Sequence, residues 1–395
     1  MKRLFSHLLF KVFLAIVFGI IFGLYLPESI NRIFTTFNAF FGQFLNFAIP
    51  LIIMGLIMPA ISAIGKGAGK LLLLTAGIAY ASTLFSGFMT YFAASNIFPG
   101  LLESHINTTA QIADTGKELL PYFTISISPV IDVMSALVLA FIIGLGLSFQ
   151  ENSTLKLVVK DFQIIIMQLI EKVIVPLLPL FILGIFTSMS FSGKVYAILS
   201  VFLNIIGVIF ALHILLLLLQ YSVTGMFVKK NPIRLLAVMT PAYFTALGTQ
   251  SSAATIPVTL KQTLKNGVSE KIAGFVIPLC ATIHLSGSIM KITACAMALM
   301  ILEGMPFNFT LFVGLTFMLA IAMVAAPGVP GGAIMAAIGI LQSMLGFNEE
   351  MIGLMIALYI AMDSFGTACN VTGDGAIALV VDRLTKPGVS GIKNQ

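Results

Sequence analysis

Charge is what this sequence has least of. Only 9 % of its 395 residues are Asp, Glu, Lys or Arg, against about 25 % in soluble domains. That is too few to cover a globule of this size in water. With 59 % hydrophobic residues and a mean hydropathy of +1.08, the scarcity argues against cytosolic enzymes, DNA-binding domains and disordered scaffolds. Cysteine is also sparse: Cys280, Cys295 and Cys369 all lie in apolar segments, which indicates neither a disulfide framework nor a zinc site. No GxxxxGK[ST] loop occurs, so ATP-driven work is unsupported, and no nucleophile–base constellation points to an enzyme. The net charge of +6 is no nucleic-acid footprint either, because membrane proteins concentrate Lys and Arg in cytoplasmic loops.

What is present is a succession of long apolar runs. The expected fold class is an all-α polytopic membrane protein. Met1-Lys2-Arg3 precedes an apolar stretch that continues to about residue 26 without a small-residue cleavage site, so it reads as a first membrane helix rather than a signal peptide. Further helices are expected at roughly 33–64, 71–98, 124–149, 157–190 and 196–228. Several exceed the ~20 residues a bilayer requires, and Pro50, Pro59, Pro176 and Pro179 predict kinks. With the N-terminus cytoplasmic, Lys2, Arg3, Lys66, Lys70, Lys156, Lys160, Lys229, Lys230 and Arg234 fall inside. Only Arg32, Lys117 and Lys194 fall outside, which is the asymmetry the positive-inside rule demands.

After residue 228 the alternation fails. The segment 235–260 has Arg234 on one flank and Lys261, Lys265 and Lys271 on the other, and both flanks favour the cytoplasm. Its middle, Gly248-Thr249-Gln250-Ser251-Ser252-Ala253-Ala254-Thr255-Ile256-Pro257, interrupts a helix. A re-entrant hairpin over about 232–263 satisfies both facts, because irregular backbone at membrane depth must be buried in protein or line a cavity. A span at 270–302 follows. The stretch 306–347 breaks again at Pro327-Gly328-Val329-Pro330-Gly331-Gly332, with both ends external, and a last helix at 350–384 returns to a cytoplasmic C-terminus. The expectation is therefore eight transmembrane helices plus two re-entrant helical hairpins entering from opposite faces. That arrangement points to a transporter's binding site, with a channel or a structural membrane protein as the alternatives.

Charged groups at membrane depth are costly and are functional candidates by default. In the last helix Asp363, Thr367, Asn370 and Asp374 recur at spacings of four, three and four, so they form one polar stripe. Two carboxylates, an amide and a hydroxyl suit a zwitterion and a hard cation. Polar glue between helices explains Thr367 and Asn370 but leaves two unpaired acids unexplained.

Four motifs stand in order: Ser251-Ser252-Ala253-Ala254-Thr255-Ile256-Pro257-Val258-Thr259, Phe275-Val276-Ile277-Pro278-Leu279, Gly328-Val329-Pro330-Gly331 and Asn370-Val371-Thr372-Gly373-Asp374. Together they resemble the dicarboxylate/amino acid:cation symporter family, the glutamate-transporter homologues. The resemblance covers at least 235–384, and the upstream hydropathy fits the family's six leading helices. It implies a homotrimeric secondary transporter of the cytoplasmic membrane with an elevator fold. Residues 1–228 would be mostly scaffold, with helices 3 and 6 joining the transport domain at 229–395. It also implies that Asp363 holds a substrate α-amino group, that Asn370 and the tip around Ser251 and Ser252 hold the α-carboxylate, and that Ser288, Gly366 and Thr367 line the site. Val329 would close over it. One sodium site would form from Asp374 with backbone oxygens around Cys280, His284 and Asn370, and a second from carbonyls near Thr282, Met323, Val324 and Ala326. The implied cargo is a small-molecule amino acid with Na⁺ or H⁺ as coupling ion, and no other cofactor.

Departures from the family pattern are specific. Members that take acidic substrates carry an arginine where this chain has Gly366, or supply one near Gln250; neither arginine is present. A neutral amino acid is therefore expected, with the room beside Gly366 suiting a neutral, even sizeable, side chain. The alternatives are an acidic substrate held by another cation, a cation-independent exchanger or an anion-conducting channel. If it faces the site, Lys291 is that other cation or stands in for a bound coupling cation; it is otherwise expected to pair with Asp132 or to reach an interface. The family's Asn-Met-Asp-Gly-Thr reads His284-Leu285-Ser286-Gly287-Ser288 here, so a third sodium site loses its aspartate. His284 either couples protons or is simply hydrogen-bonded.

Overall fold

The computed structural model describes residues 8–62, 69–113, 119–150, 153–193, 195–326 and 330–385, and all regular structure among them is helical. The first half comprises α1 (Leu8–Tyr25), α2 (Glu28–Ser62), α3 (Lys70–Ala113), α4 (Val133–Ser148), α5 (Thr154–Leu169), α6 (Val175–Phe191) and α7 (Val195–Val228). The second half comprises α8 (Pro232–Thr249), α9 (Ser252–Lys265), α10 (Glu270–Ile283), α11 (Ser286–Leu302), α12 (Phe309–Ala325), α13 (Gly332–Leu345), α14 (Glu349–Ala361) and α15 (Asp363–Thr385). Among the described residues six helices are long and apolar enough to cross a membrane, and α14 with α15 makes a seventh when counted as one span bent by 60°. Their outward faces carry large apolar side chains, such as Leu203 and Met226, each 73 % exposed, as a lipid-facing surface requires.

Three boundaries differ from those read in the sequence. α3 runs on to Ala113 where a loop beginning at residue 99 was expected. Pro99 removes only one backbone bond, and the helix formers Leu101, Leu102 and Glu103 carry the turn onward. α4 begins at Val133 rather than 124, because Asp132 caps it by accepting from the Ser135 N–H at 2.9 Å. The kink expected at Pro176 is a π-turn at Ile170–Ile174 joining α5 to α6, since Pro176 cannot donate to the turn before it. Lys2, Arg3, Lys66, Lys117, Lys194, Lys386 and Lys393 lie outside the described residues.

Helix pairs in the first half approach closely through glycine. α1 packs on α6, where a Cβ at Gly19 would stand 2.7 Å from the Leu183 carbonyl oxygen and 2.9 Å from Phe186 Cβ. Small residues at such crossings are what brings apolar helices together without a hydrophobic drive. Gly19→Val is expected to lower the thermal unfolding midpoint in detergent, by the ~1–3 kcal/mol that overpacking costs, because backbone on both helices must move. An unchanged midpoint would show that this crossing contributes nothing.

The second half is built from interrupted helices, each with its own cap. Asn231 caps α8 by accepting from the Arg234 N–H, with Pro232 in the first turn. α8 ends at Gln250, a non-glycine residue at φ 55°, and Ser251 then caps α9, which folds back onto α8. α12 and α13 pack on each other in the same way, with Gly331 at φ 76° entering α13. Between α10 and α11 the chain is extended at His284 (φ −107°, ψ 99°), and every residue of α11 is buried. α3, α7 and α15 pack around α11, whereas α1, α2 and α4–α6 pack chiefly among themselves.

Candidate functional site

Four chain breaks converge on the start of α15. From the first hairpin, Gln250 Nε2 donates to Ser364 Oγ at 2.8 Å. From the second, the Gly331 N–H donates to Asp363 Oδ2 at 2.8 Å. From α11, the Gly287 N–H donates to Asn370 Oδ1 at 2.7 Å, and Lys291 Nζ reaches Asp363 Oδ1 at 3.0 Å. The last break, at Met362 between α14 and α15, puts Asp363 in the first turn of α15, where a carboxylate is favoured by the helix dipole. A left-handed Gln250 costs of order 1–3 kcal/mol and marks the hairpin tip as constrained.

The polar stripe of α15 is buried along its length. Asp363, Thr367, Asn370 and Asp374 are between 1 and 6 % exposed. The acids are not unpaired, contrary to expectation: Lys291 holds Asp363, and His284 Nδ1 meets Asp374 Oδ1 at 2.9 Å. Asn370 bridges elements, its amide NH₂ donating to Ser288 Oγ at 3.1 Å. Ser288 also accepts from Tyr359 OH at 3.0 Å. Ser252 is buried beside Ser251, which caps α9 by accepting from the Ala254 N–H. The Cys280 carbonyl accepts the His284 N–H at 2.9 Å, and Thr282 Oγ1 donates to the Leu279 carbonyl. Met323 O accepts the Ala326 N–H at 3.3 Å. Val329 lies outside the described residues.

Lys291 overturns two expectations. It does not pair with Asp132, which is engaged at the start of α4. Nor is the room beside Gly366 open, because a Cβ there would stand 2.6 Å from Lys291 Nζ and 3.1 Å from its Cδ. The wholly buried ammonium also lies 3.6 Å from the centroid of the Tyr359 ring and 3.5 Å from the Met362 carbonyl, so its charge is met by a carboxylate and a π face. α11 approaches closely enough for this contact because residue 287 is glycine: a Cβ there would sit 2.6 Å from the Gly366 carbonyl oxygen.

A second polar group surrounds His284. Its Nε2 lies 3.1 Å from Ser82 Oγ on α3, and Gln220 Nε2 on α7 donates to that same oxygen at 3.0 Å and to Ser286 Oγ at 3.5 Å. Ser86 Oγ donates to the Ser286 carbonyl at 2.7 Å. With Nδ1 directed at a carboxylate that can only accept, Nδ1 carries a proton and donates it. The Asp374 carboxylate is a hard oxygen donor of the kind an alkali cation takes, and one of its oxygens is engaged by the imidazole. Tyr359, Gln220, Ser82 and His213 were not picked out from the sequence. The signal that could have found Gln220 and His213 is that each interrupts a strongly apolar stretch of α7. A cavity of about 300 Å³ lies against the α14–α15 break, lined by Leu203, Ile206, Phe210, Met362 and Phe365 with His213. His213 is its one titratable side chain and its lining holds no carboxylate, whereas the polar cluster offers groups of both charges and is the candidate site.

The profile of the sodium:dicarboxylate symporter family matches residues 8–384. The chain belongs to this family. Among relatives of the symporter, the serine/threonine transporter SstT of Acinetobacter baumannii is 28 % identical over 393 residues, covering 94 % of this chain and 95 % of the relative. Excitatory amino acid transporter 2 of Homo sapiens is 28 % identical over 269 residues, covering 65 % of this chain and 46 % of the relative. Excitatory amino acid transporter 1 of Rattus norvegicus is 32 % identical over 183 residues, covering 46 % and 33 %. Family membership agrees with a multi-pass membrane transporter and with sodium as coupling ion. Within this symporter position 366 of α15 is a glycine, and a lysine from α11 fills the space beside it.

Proposed function

We propose that the chain is a secondary active transporter that couples the uptake of a small neutral amino acid to a cation gradient across the cytoplasmic membrane. The observation that carries this reading is the Lys291–Asp363 pair against Gly366. The pair cancels its own charge, and a zwitterion adds none. An acidic side chain would bury a second carboxylate with no arginine to receive it, at a cost of several kcal/mol. The volume taken by Lys291 favours a small side chain, in place of the sizeable one the sequence suggested. Ser288 and Thr367 supply hydroxyls of the kind that would suit a polar side chain, and a relative that matches 94 % of this chain is a serine/threonine transporter.

In this reading α3 and α7–α15 form the transport domain, with hairpins α8–α9 and α12–α13 enclosing the amino acid. α1, α2 and α4–α6 form a trimeric scaffold against which it moves, giving eight spans, two hairpins and cytoplasmic termini. The packing of α3 and α7 on α11 and α15 supports that division. Sodium, or a proton, binds at Asp374 beside Asn370, Cys280 and His284.

In proteoliposomes with an imposed Na⁺ or H⁺ gradient, L-serine, L-threonine or L-alanine uptake is expected to be concentrative, saturable and stereoselective, with excess aspartate failing to compete. Ohmic current without uptake, or binding without flux, would overturn the reading. A second reading, an acidic substrate received by Lys291, has one observation in its favour: the ammonium stands where a residue-366 side chain would extend. Concentrative aspartate uptake that disappears in Lys291→Met would establish it.

A further inference from the structure

Both oxygens of Asp363 are taken by the protein itself, Oδ1 by Lys291 Nζ at 3.0 Å and Oδ2 by the Gly331 N–H at 2.8 Å. Each oxygen can still accept a further hydrogen bond, but a second ammonium at Asp363 would share one negative charge with Lys291 and leave a buried positive charge in excess. Gly331 is a backbone group of the hairpin that covers the site, whereas Lys291 ends a flexible chain. Lys291 is wholly buried, and a buried ammonium released from its carboxylate is strongly disfavoured unless another anion meets it.

We propose that Lys291 is a specificity-determining residue that works by ion-pair exchange. The incoming ammonium takes Asp363 while the substrate's own carboxylate takes Lys291, in place of the Asn370 and Ser251–Ser252 contacts that the resemblance implies, since the Asn370 amide is already engaged by Gly287 and Ser288; the site then admits only a ligand carrying both charges. The inference rests on the amino acid reading above and deepens it. A ligand with an ammonium alone would strand Lys291, and one with a carboxylate alone would strand Asp363. Two features hold the lysine ready: the absent Cβ at Gly366, which leaves its chain room, and the Tyr359 ring 3.6 Å away, which steadies the ammonium as it changes partner.

The test is titration of the purified full-length chain in nanodiscs with L-serine, ethanolamine and L-lactate, read by calorimetry and thermal shift. Wild type is expected to respond to L-serine alone. Lys291→Met is expected to bind L-serine about 10- to 100-fold more weakly, the loss of one charged hydrogen bond, and to gain a response to ethanolamine because Asp363 is left without a cation. L-serine affinity within about twofold of wild type, or no new ethanolamine response, would overturn the proposal. Should Lys291→Met fail to fold, Gly366→Ala answers instead: its methyl pushes the lysine's end away from Asp363, and an unchanged L-serine affinity would overturn the exchange. A wild type that responds to no amino acid would remove the amino acid reading and this inference together, whereas a serine-binding wild type with an indifferent Lys291→Met removes the inference alone.

Discussion

Asp363→Ala is expected to abolish the amino acid response and to destabilise the protein by about 3–5 kcal/mol, the cost of leaving a buried ion without its partner. The loss of binding follows from the carboxylate's place among Lys291, Gly331 and the first turn of α15. The loss of stability follows from Lys291, which is wholly buried and would retain only the Tyr359 ring and the long contact to the Met362 carbonyl. The two effects separate in a double-mutant cycle. Asp363→Ala with Lys291→Met removes both charges, and replacing a whole buried pair by apolar groups is often neutral or better. The double variant is therefore expected to regain most of the lost thermal stability while binding no amino acid. Persistent serine binding in either variant would show that the ammonium is received elsewhere. A double variant no more stable than Asp363→Ala would show that the stranded lysine is not the source of the loss.

Much of this site was legible before any coordinate, and the legible part is that governed by local rules. The break at Gln250–Ser251 is written in a run of small and polar residues that a membrane helix does not tolerate. Spacings of four, three and four suffice to align Asp363, Thr367, Asn370 and Asp374, because helix geometry alone fixes a face. His284 beside Asp374 followed from the family motif and is realised as a 2.9 Å contact. What could not be read depends on how separate helices pack. Nothing local distinguishes Asp363 from Asp132 as the partner of Lys291, and the choice is made by the glycine contact that brings α11 against α15. The Ser82–Gln220–Ser286 network likewise draws on α3, α7 and α11, elements far apart in the chain. The length of α3 escapes the sequence because the acidic residues of 99–123 suit an external loop as well as a helix that runs on to Ala113.

Asp374→Asn is expected to remove the cation response while leaving the fold nearly intact. The carboxylate is 1 % exposed and accepts from His284 Nδ1. An asparagine oxygen accepts the same hydrogen bond, so the imidazole keeps a partner and, through Nε2, its place beside Ser82. What disappears is the negative charge, and a hard cation bound largely by uncharged carbonyls has little to offset its desolvation. In wild type, saturating cation raises stability by RT ln(1 + [L]/Kd), about 2.7 kcal/mol at a hundredfold excess over Kd. That increment is expected to vanish in Asp374→Asn, together with gradient-driven accumulation of the amino acid. Asp374→Ala goes further, because His284 then loses its acceptor within a wholly buried layer beneath Gly373, and its baseline stability is expected to fall as well. The contrast between the two variants isolates charge from hydrogen bonding. If Asp374→Asn keeps the full cation-linked stabilisation, the coupling ion does not bind at Asp374. If both variants lose the cation response but differ in baseline stability as described, the carboxylate has two separable tasks: its charge meets the ion, and its oxygen orients the imidazole that joins α15 to α3.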